Sequence, residues 1–428
     1  MSADRRPSRR SFISTSAKAS AGTVLGTGLI SPSYGYHNSV NDVLKIGLVG
    51  CGGRGTGAVL NATNADSNTV VTGLADAFMD RIEICAKSLK VEIGEKFKVA
   101  DDHMFDGLDC YKNLIESDVD VVLLATPPYF RPMQLKAAVE AGKHVFCEKP
   151  VGVDVPGVRS VLESCELAAK KGLSVVSGLC WRYDLGVNEM IKRIKDGEIG
   201  EIRAMEANYL TGTLWHRGDK PEWSPMEYQL RNWLYFNWLS GDHIAEQHIH
   251  SLDKTLWLME DIPPMSCYAS GGRLVRTEKK WGNVYDHFST VYQWEDSDIR
   301  VFSHCRQMSG CFNETDDHVI GTKGTAHILK FQIENDKGKN SYRKKKPSMY
   351  DLEHQALFQS IRSGNPINNG RYMSFSTLMA LMGRDAAYSG KKIMWNEYMD
   401  SEKKLGPEDF TDAANYVPDD VIRPGDKW

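Results

Sequence analysis

Three groups of residues in this chain have the types and spacing to do chemistry. The first is Gly50-x-Gly52-x-x-Gly55, within KIGLVGCGGRGTG at 45–57. Between a strand and a helix, the first glycine permits a tight turn, the second lets backbone approach a pyrophosphate, and the third packs helix on strand. Gly50, Gly52, Gly53, Arg54 and Gly55 are therefore candidate cofactor-binding residues, although the pattern by itself also describes a plain tight turn. A second apolar run, 70–74, leads into Asp76, near the distance at which an acid receives ribose hydroxyls. An acid there repels a 2′-phosphate and favours NAD, while Arg81 nearby keeps NADP open. Asp76 equally suits capping of a helix that begins near residue 78. The second group is Glu148-Lys149-Pro150, which on its own reads as a solvated turn.

The third group is Glu246, His250 and Asp253 in GDHIAEQHIHSLD, 241–253. On a continuous helix Glu246 and His250 are i,i+4 neighbours, and Asp253 follows three residues on. An imidazole accepts a hydroxyl proton near neutral pH, which makes His250 a general-base candidate. The same pair could chelate a metal, or the histidine could be a core residue satisfied by one hydrogen bond.

These residues need a scaffold, and the chain supplies one. Apolar runs at 46–49, 70–74, 119–125, 143–147 and 174–179 alternate with helical patterns at 77–89, 111–115, 132–141 and 155–171. Such alternation predicts a doubly wound parallel Rossmann sheet with its ligand crevice at the carboxyl ends of the strands. The Gly50 turn, Asp76, Thr126, Pro127, Glu148 and Lys149 would converge there. Beyond a helix at 187–195, a strand at 202–210 and further runs at 265–270, 287–294 and 300–305 predict a C-terminal α+β domain. Its sheet is expected to be large, open and mainly antiparallel. Helical patterns at 351–362 and 372–389 would return to brace the sheet. Segment 211–240 is crowded with aromatics, including Trp215, Trp233 and Trp238, with Arg217 and Arg231 among them. Large aromatics in such a segment serve as interface or local core, or stack on the apolar face of a sugar ring.

The ordered series GCGGRG (50–55), ADAF (75–78), LLATPP (123–128) and AGKHVFCEKP (141–150) resembles the Gfo/Idh/MocA oxidoreductase family, over about 43–330. The resemblance implies NAD, with NADP possible, and a carbohydrate substrate oxidised at a secondary alcohol. It places Lys149 where nicotinamide meets substrate. It maps Glu246, His250 and Asp253 onto an acid–histidine–acid pattern that works without metal, with Glu246 standing where relatives usually carry Asp. Catalytic candidates are thus Lys149, His250 and Glu246; substrate-binding candidates are Arg182, Trp215, Arg217, Trp233, Glu246 and Asp253. It implies a homodimer or homotetramer. A redox-neutral NAD-dependent glycosidase is the alternative activity, and a non-catalytic sugar or nucleotide binder is another.

Composition narrows the partners. The chain has 428 residues and a net charge of −4, which gives no reason to expect nucleic acid or an anionic membrane. The basic run at 343–346 lacks interleaved aromatics and reads as a solvated loop. No apolar stretch is long and clean enough for stable membrane insertion. Nine scattered cysteines without a C-x-x-C pair argue against a disulfide framework. Ser8-Arg9-Arg10-Ser11-Phe12-Ile13 fits a twin-arginine export signal, so 1–40 is set apart from the fold and a periplasmic location is expected, a cytoplasmic one being the alternative. Export of a folded chain favours a cofactor carried along and regenerated in each turnover. The expected division is 43–175 for the dinucleotide-binding domain, 176–395 for the substrate and oligomerisation domain, and 396–428 for an arm reaching another subunit.

Overall fold

The apolar runs of the first half become a six-stranded parallel sheet in the computed structural model. The structure describes residues 42–295, 297–342, 347–407, 409–410 and 413–425; the twin-arginine pattern and the basic run at 343–346 lie outside them. Strands β1 (Leu44–Val49), β2 (Thr69–Asp76), β3 (Met104–Asp106), β4 (Val121–Leu124), β5 (His144–Cys147) and β6 (Val175–Ser177) lie in the order β3-β2-β1-β4-β5-β6. Ile46, Leu48, Val49 and all of 121–124 are fully buried, as strands covered on both faces require. Helices α1 (Gly53–Ala65), α2 (Met79–Ile93), α3 (Cys110–Glu116), α4 (Arg131–Glu140) and α5 (Val155–Lys171) make the crossovers.

Helix α6 (Leu185–Lys195) leads into a nine-stranded sheet built on β7 (Ile202–Thr211). Its other strands are β8 (Ser266–Gly272), β9 (His287–Gln293), β10 (Arg300–Gln307), β11 (Glu314–Gly321), β12 (Gly324–His327), β13 (Gln332–Asn335), β14 (Gly338–Ser341) and β15 (Ile393–Met394). All neighbouring pairs are antiparallel except β7 with β10. Between β7 and β8 come α7 (Pro225–Arg231), α8 (Asn237–Ser240), α9 (His243–Glu246) and α10 (Ile249–Leu258). Strand β10 alternates buried Val301, Ser303 and Cys305 with exposed Phe302, so one face of this sheet is packed and the other faces outward.

Helix α11 (Met349–Ser363) returns to pack on α1 of the first sheet. Helix α12 (Gly370–Ser389) does more than brace: 17 of its 20 residues are buried, and it packs against both α5 and β8. A helix buried nearly all round belongs in a core, which is why it couples the two sheets. The last elements, beginning with α13 (Trp395–Met399), run back along the same chain. Gln229 donates to the Tyr416 carbonyl (2.7 Å), Asn283 to that of Asp419 (2.9 Å) and the Tyr285 hydroxyl to that of Ile422 (2.8 Å). The segment expected to reach another subunit is therefore seated on its own domain.

Candidate active site

The glycine turn is built for a ligand that contacts backbone. A Cβ on Gly55 would lie 1.9 Å from the Gly50 carbonyl oxygen, and one on Gly50 would lie 2.6 Å from the Ala125 carbonyl carbon. Cβ atoms on Gly52 and Gly53 would instead meet nothing within 4 Å, because these two face an open cleft. No side chain caps the N-terminus of α1 and no acid stands in its first turn, so its free N–H groups and dipole suit a phosphate. The cleft is lined by Gly50, Gly52, Gly53, Arg54, Gly55, Asp76, Phe78, Arg81, Thr126 and Pro127. These residues fit a dinucleotide.

Asp76 is fixed by the turn itself. Its Oδ2 accepts the Cys51 N–H (2.7 Å) and its Oδ1 that of Phe78 (3.1 Å). Burial pushes this carboxyl up, and the two backbone donors only partly counter that. The local cap and the place at the ribose end thus coexist in one residue. Thr126 donates to Gln134 Oε1 (2.6 Å), and Arg131 holds the Thr126 and Pro150 carbonyls (2.6 Å each), which ties the β4 and β5 turns together.

At the β5 end, Glu148 is buried behind Arg54, which pairs with it and also with Glu353 (3.2 Å) from α11. Burial pushes the Glu148 carboxyl up, but Arg54, Lys149 and Arg131 outweigh it and hold it below the ordinary range. Glu353 is pushed well above that range by burial, with the Glu148 charge beside it acting the same way. Glu148 is therefore spent on positioning Arg54 and is not the free cofactor ligand that the sequence suggests. Glu353 is invisible to motif reading, since nothing in a helix so far downstream marks which residue returns to the turn.

Lys149 Nζ donates to the main-chain carbonyl of Glu246 and lies 3.2 Å from its Oε1. The carbonyl is available because the expected continuous helix is broken. Residues 243–246 and 249–258 form separate helices, and the His250 N–H turns to the Gln247 carbonyl (3.5 Å). His248 drives the break: its ring is fully buried and its Nε2 bonds Ser303 Oγ on β10 (2.6 Å). Ahead of the break, Asp242 has φ 68 and its buried carboxylate accepts from Tyr285 N–H (2.8 Å) and the Tyr388 hydroxyl (2.6 Å). Interactions that strong hold a non-glycine residue in the left-handed region.

His250 lies in this frame with its Nδ1 buried and bonded to no group among the described residues. Burial pushes its pKa well below the ordinary value, and the Lys149, Lys254 and Arg54 charges act in the same direction. Its backbone is held from behind by Lys254, which donates to the His250 carbonyl (2.7 Å) and pairs with buried Asp317 (3.0 Å). The site thus joins one cation, one neutral imidazole and one carboxylate.

Two other sets of residues are redirected. Arg182 and Asp253 face each other in a closed network: Arg182 reaches both Asp253 oxygens (3.0 and 3.1 Å) and Asp261 (2.6 Å), and Ser376 donates to Asp253 (2.8 Å). Burial works against the Arg182 charge, but Asp253 and Asp261 more than offset it and raise its pKa. With Asp253 only 1% exposed, neither group is presented to a substrate. Trp215, Arg217 and Trp233 line the same cleft as Asp76 and Arg81. Among the described residues, no three His, Cys, Asp or Glu side chains converge to hold a metal ion, and no helix is long and apolar enough to cross a membrane. All nine cysteines are free, and eight are buried.

Comparison with known proteins bears on the two domains that carry these residues. Residues 44–178 match the profile described as an oxidoreductase family with an NAD-binding Rossmann fold, and 187–327 match the GFO/IDH/MocA C-terminal domain. The chain is 28% identical over 212 residues to a 2,7-anhydro-N-acetylneuraminate hydratase of Escherichia coli, covering 49% of this chain and 51% of that protein. It is 26% identical over 284 residues to an inositol 2-dehydrogenase of Rhizobium meliloti, covering 66% and 74%. The chain thus spans about half the length of the first curated relatives it matches. Its fold is that of the aldose–aldose oxidoreductase of Caulobacter crescentus, with a TM-score of 0.65 at 18% identity over 82% of this chain and 99% of that one.

The glycine turn provides a direct test. Gly55→Ala forces a methyl into the Gly50 carbonyl, and overpacking of about 1–3 kcal/mol corresponds to roughly 5–150-fold weaker NAD binding by calorimetry if the turn opens to relieve it. Gly57→Ala, whose Cβ meets only Arg54 at 3.9 Å, should leave binding unchanged.

Proposed function

Because this chain belongs to the Gfo/Idh/MocA family, an NAD-binding Rossmann domain followed by that family's C-terminal domain, we propose that it oxidises and reduces a secondary alcohol of a sugar or polyol with a tightly held NAD(P). The observation that carries this reading is Lys149, held by the Glu246 carbonyl and carboxylate at the β5 end, with the neutral imidazole of His250 in the same frame. Bound NAD supplies the acceptor for the hydride leaving the alcohol carbon. Lys149 hydrogen-bonds the reacting hydroxyl oxygen and stabilises the charge that develops on it. An imidazole nitrogen of His250 takes the hydroxyl proton. Glu246 orients Lys149 and offers its second oxygen to a neighbouring hydroxyl. A panel of sugars and inositols, followed by the absorbance of reduced nicotinamide, tests the reading; no reduction and no other conversion of any of them would refute it.

A second reading is supported by the hydratase among the relatives, since adding water is redox-neutral. In that version the same residues take the hydroxyl proton while the hydride would pass to bound NAD(P); the adjacent C–H bond becomes acidic, a glycoside bond breaks by elimination, and the hydride would return to the carbonyl carbon after water adds. Release of sugar from a glycoside without net cofactor reduction distinguishes it.

The pH dependence follows from the His250 environment. A base acts only when unprotonated, and a lowered pKa keeps it unprotonated further into acid. kcat/KM should therefore stay level as pH falls past about 6.5, the ordinary imidazole value, and decline only below it. An acid limb centred at or above that value in the wild type, and lost in His250→Gln, would contradict this assignment.

Location and assembly belong to the same proposal. The Arg9-Arg10 pattern and eight buried, unpaired cysteines support folding in the cytoplasm and export by the twin-arginine route. The outward face of the nine-stranded sheet carries exposed Tyr268, Phe302 and Ile320, which supports a homodimer or homotetramer.

A further inference from the structure

The cofactor cleft has a second wall that the dinucleotide-binding domain does not supply. Asp76, Phe78 and Arg81 form one side, and Trp215, Arg217 and Trp233 of the C-terminal domain form the other. Lys149 follows β5 and Asp76 ends β2, three strand positions apart in the sheet. At about 4.8 Å per step the two ends are roughly 14 Å apart, so a small sugar at Lys149 does not span the cleft to Asp76. An extended dinucleotide does.

The wall is fixed in place by the chain's own contacts. The Tyr235 hydroxyl donates to the carbonyls of Leu214 (2.8 Å) and Trp215 (3.0 Å). Buried Asn232 accepts the Arg217 N–H (2.7 Å). Arg231 staples the segment to the opposite domain, pairing with Asp80 (3.1 and 3.2 Å) and lying 3.9 Å over the Phe78 ring. Within the wall Trp215 and Trp233 meet edge to face at 6.3 Å, and the Arg217 guanidinium stacks on Trp215 at 4.3 Å. Trp215 nevertheless remains 37% exposed, an unusual state for an indole braced by so many contacts. Burial and the facing charge of Arg81 both disfavour the Arg217 cation, the arrangement expected of two cations that flank one anion.

We propose that residues 213–233 form a clasp on the adenosine half of the dinucleotide, with Trp215 as a stacking surface for the base and Arg217 and Arg81 flanking the ribose and its phosphate. A flat aromatic ring and two planar cations suit a purine nucleotide better than a sugar alone. The clasp rests on the assignment of this cleft to NAD(P). It makes the segment, expected from its aromatics to hold substrate, a device that retains cofactor. It also gives a chain of this kind a means of keeping its dinucleotide where none is supplied.

The test is exchange of labelled NAD from the full chain into excess unlabelled NAD, with ADP-ribose and nicotinamide mononucleotide as competitors. Trp215→Ala, Arg217→Ala and, from the other wall, Arg81→Ala should each speed exchange by about tenfold or more and weaken ADP-ribose to a similar degree. Nicotinamide mononucleotide should compete as in the wild type. Circular dichroism checks that all three variants stay folded. Unchanged exchange and unchanged ADP-ribose affinity would overturn the clasp, as would a higher sugar KM with cofactor exchange unaltered. A wild type that takes up no labelled NAD would instead overturn the cofactor assignment itself, and the clasp with it.

Discussion

Lys149→Ala and His250→Ala should each lower kcat by about 10²–10⁴, the usual contribution of a positioned acid or base, while NAD stays bound. Binding should be spared because the glycine turn and Asp76, which line the dinucleotide cleft, are left intact. The two act on one hydroxyl, so the double variant should be little worse than either single one. Lys149→Arg should not rescue, since a planar guanidinium cannot replace a compact ammonium between the Glu246 carbonyl and carboxylate. Glu246→Gln should be milder than Lys149→Ala, because the main-chain half of the lysine's anchorage survives. Single-turnover kinetics on the cofactor-loaded protein, read beside NAD content, separates these outcomes; a kcat within about threefold of wild type in both alanine variants would remove Lys149 and His250 from the chemistry.

Asp253→Ala should be the most destabilising substitution near the site. Among the described residues it leaves Arg182, whose side chain is 9% exposed, with Asp261 as its remaining ionic partner, and it removes the acceptor of the Ser376 hydroxyl. Removing one member of a buried pair costs about 3–5 kcal/mol, because the remaining charge is stranded. The guanidinium is also packed over the Tyr372 ring at 4.1 Å and the Trp257 ring at 5.0 Å, so it cannot easily swing to water. Urea unfolding should show the loss as a lower midpoint. Asp253→Asn, which keeps the shape, should lose less. Replacing both residues by apolar ones of similar volume should restore part of it. A midpoint for Asp253→Ala equal to that of wild type would show the network to be expendable.

The parallel sheet and its glycine turn were legible in the sequence because each signal there is local. A fully apolar run marks a strand buried on both faces, and glycines at fixed offsets mark where backbone must approach backbone. The nine-stranded sheet was legible as a class, through alternation in β7 and the separate runs that follow it, but not in its order. The parallel pairing of β7 with β10 depends on chain that returns from far away. The site was only partly legible. Residue types pointed to Lys149, Glu246 and His250, yet their spacing suggested one helix face, and a buried contact from His248 to Ser303 breaks that helix. The charge pattern could not show that Arg182 and Asp253 are partners of each other, since no local rule joins residues 71 positions apart. Aromatic content marked 211–240 as interface, local core or a surface for a sugar ring without deciding among them, because its place in the molecule is set by the packing of one domain against the other.

The central claim is a nicotinamide cofactor held captive beside Lys149 and His250. The full chain should be purified without added cofactor and denatured, and the supernatant assayed for released dinucleotide. Close to one NAD(H) per chain is the predicted result. A protein that emerges empty and binds neither NAD nor NADP when either is added would contradict the account.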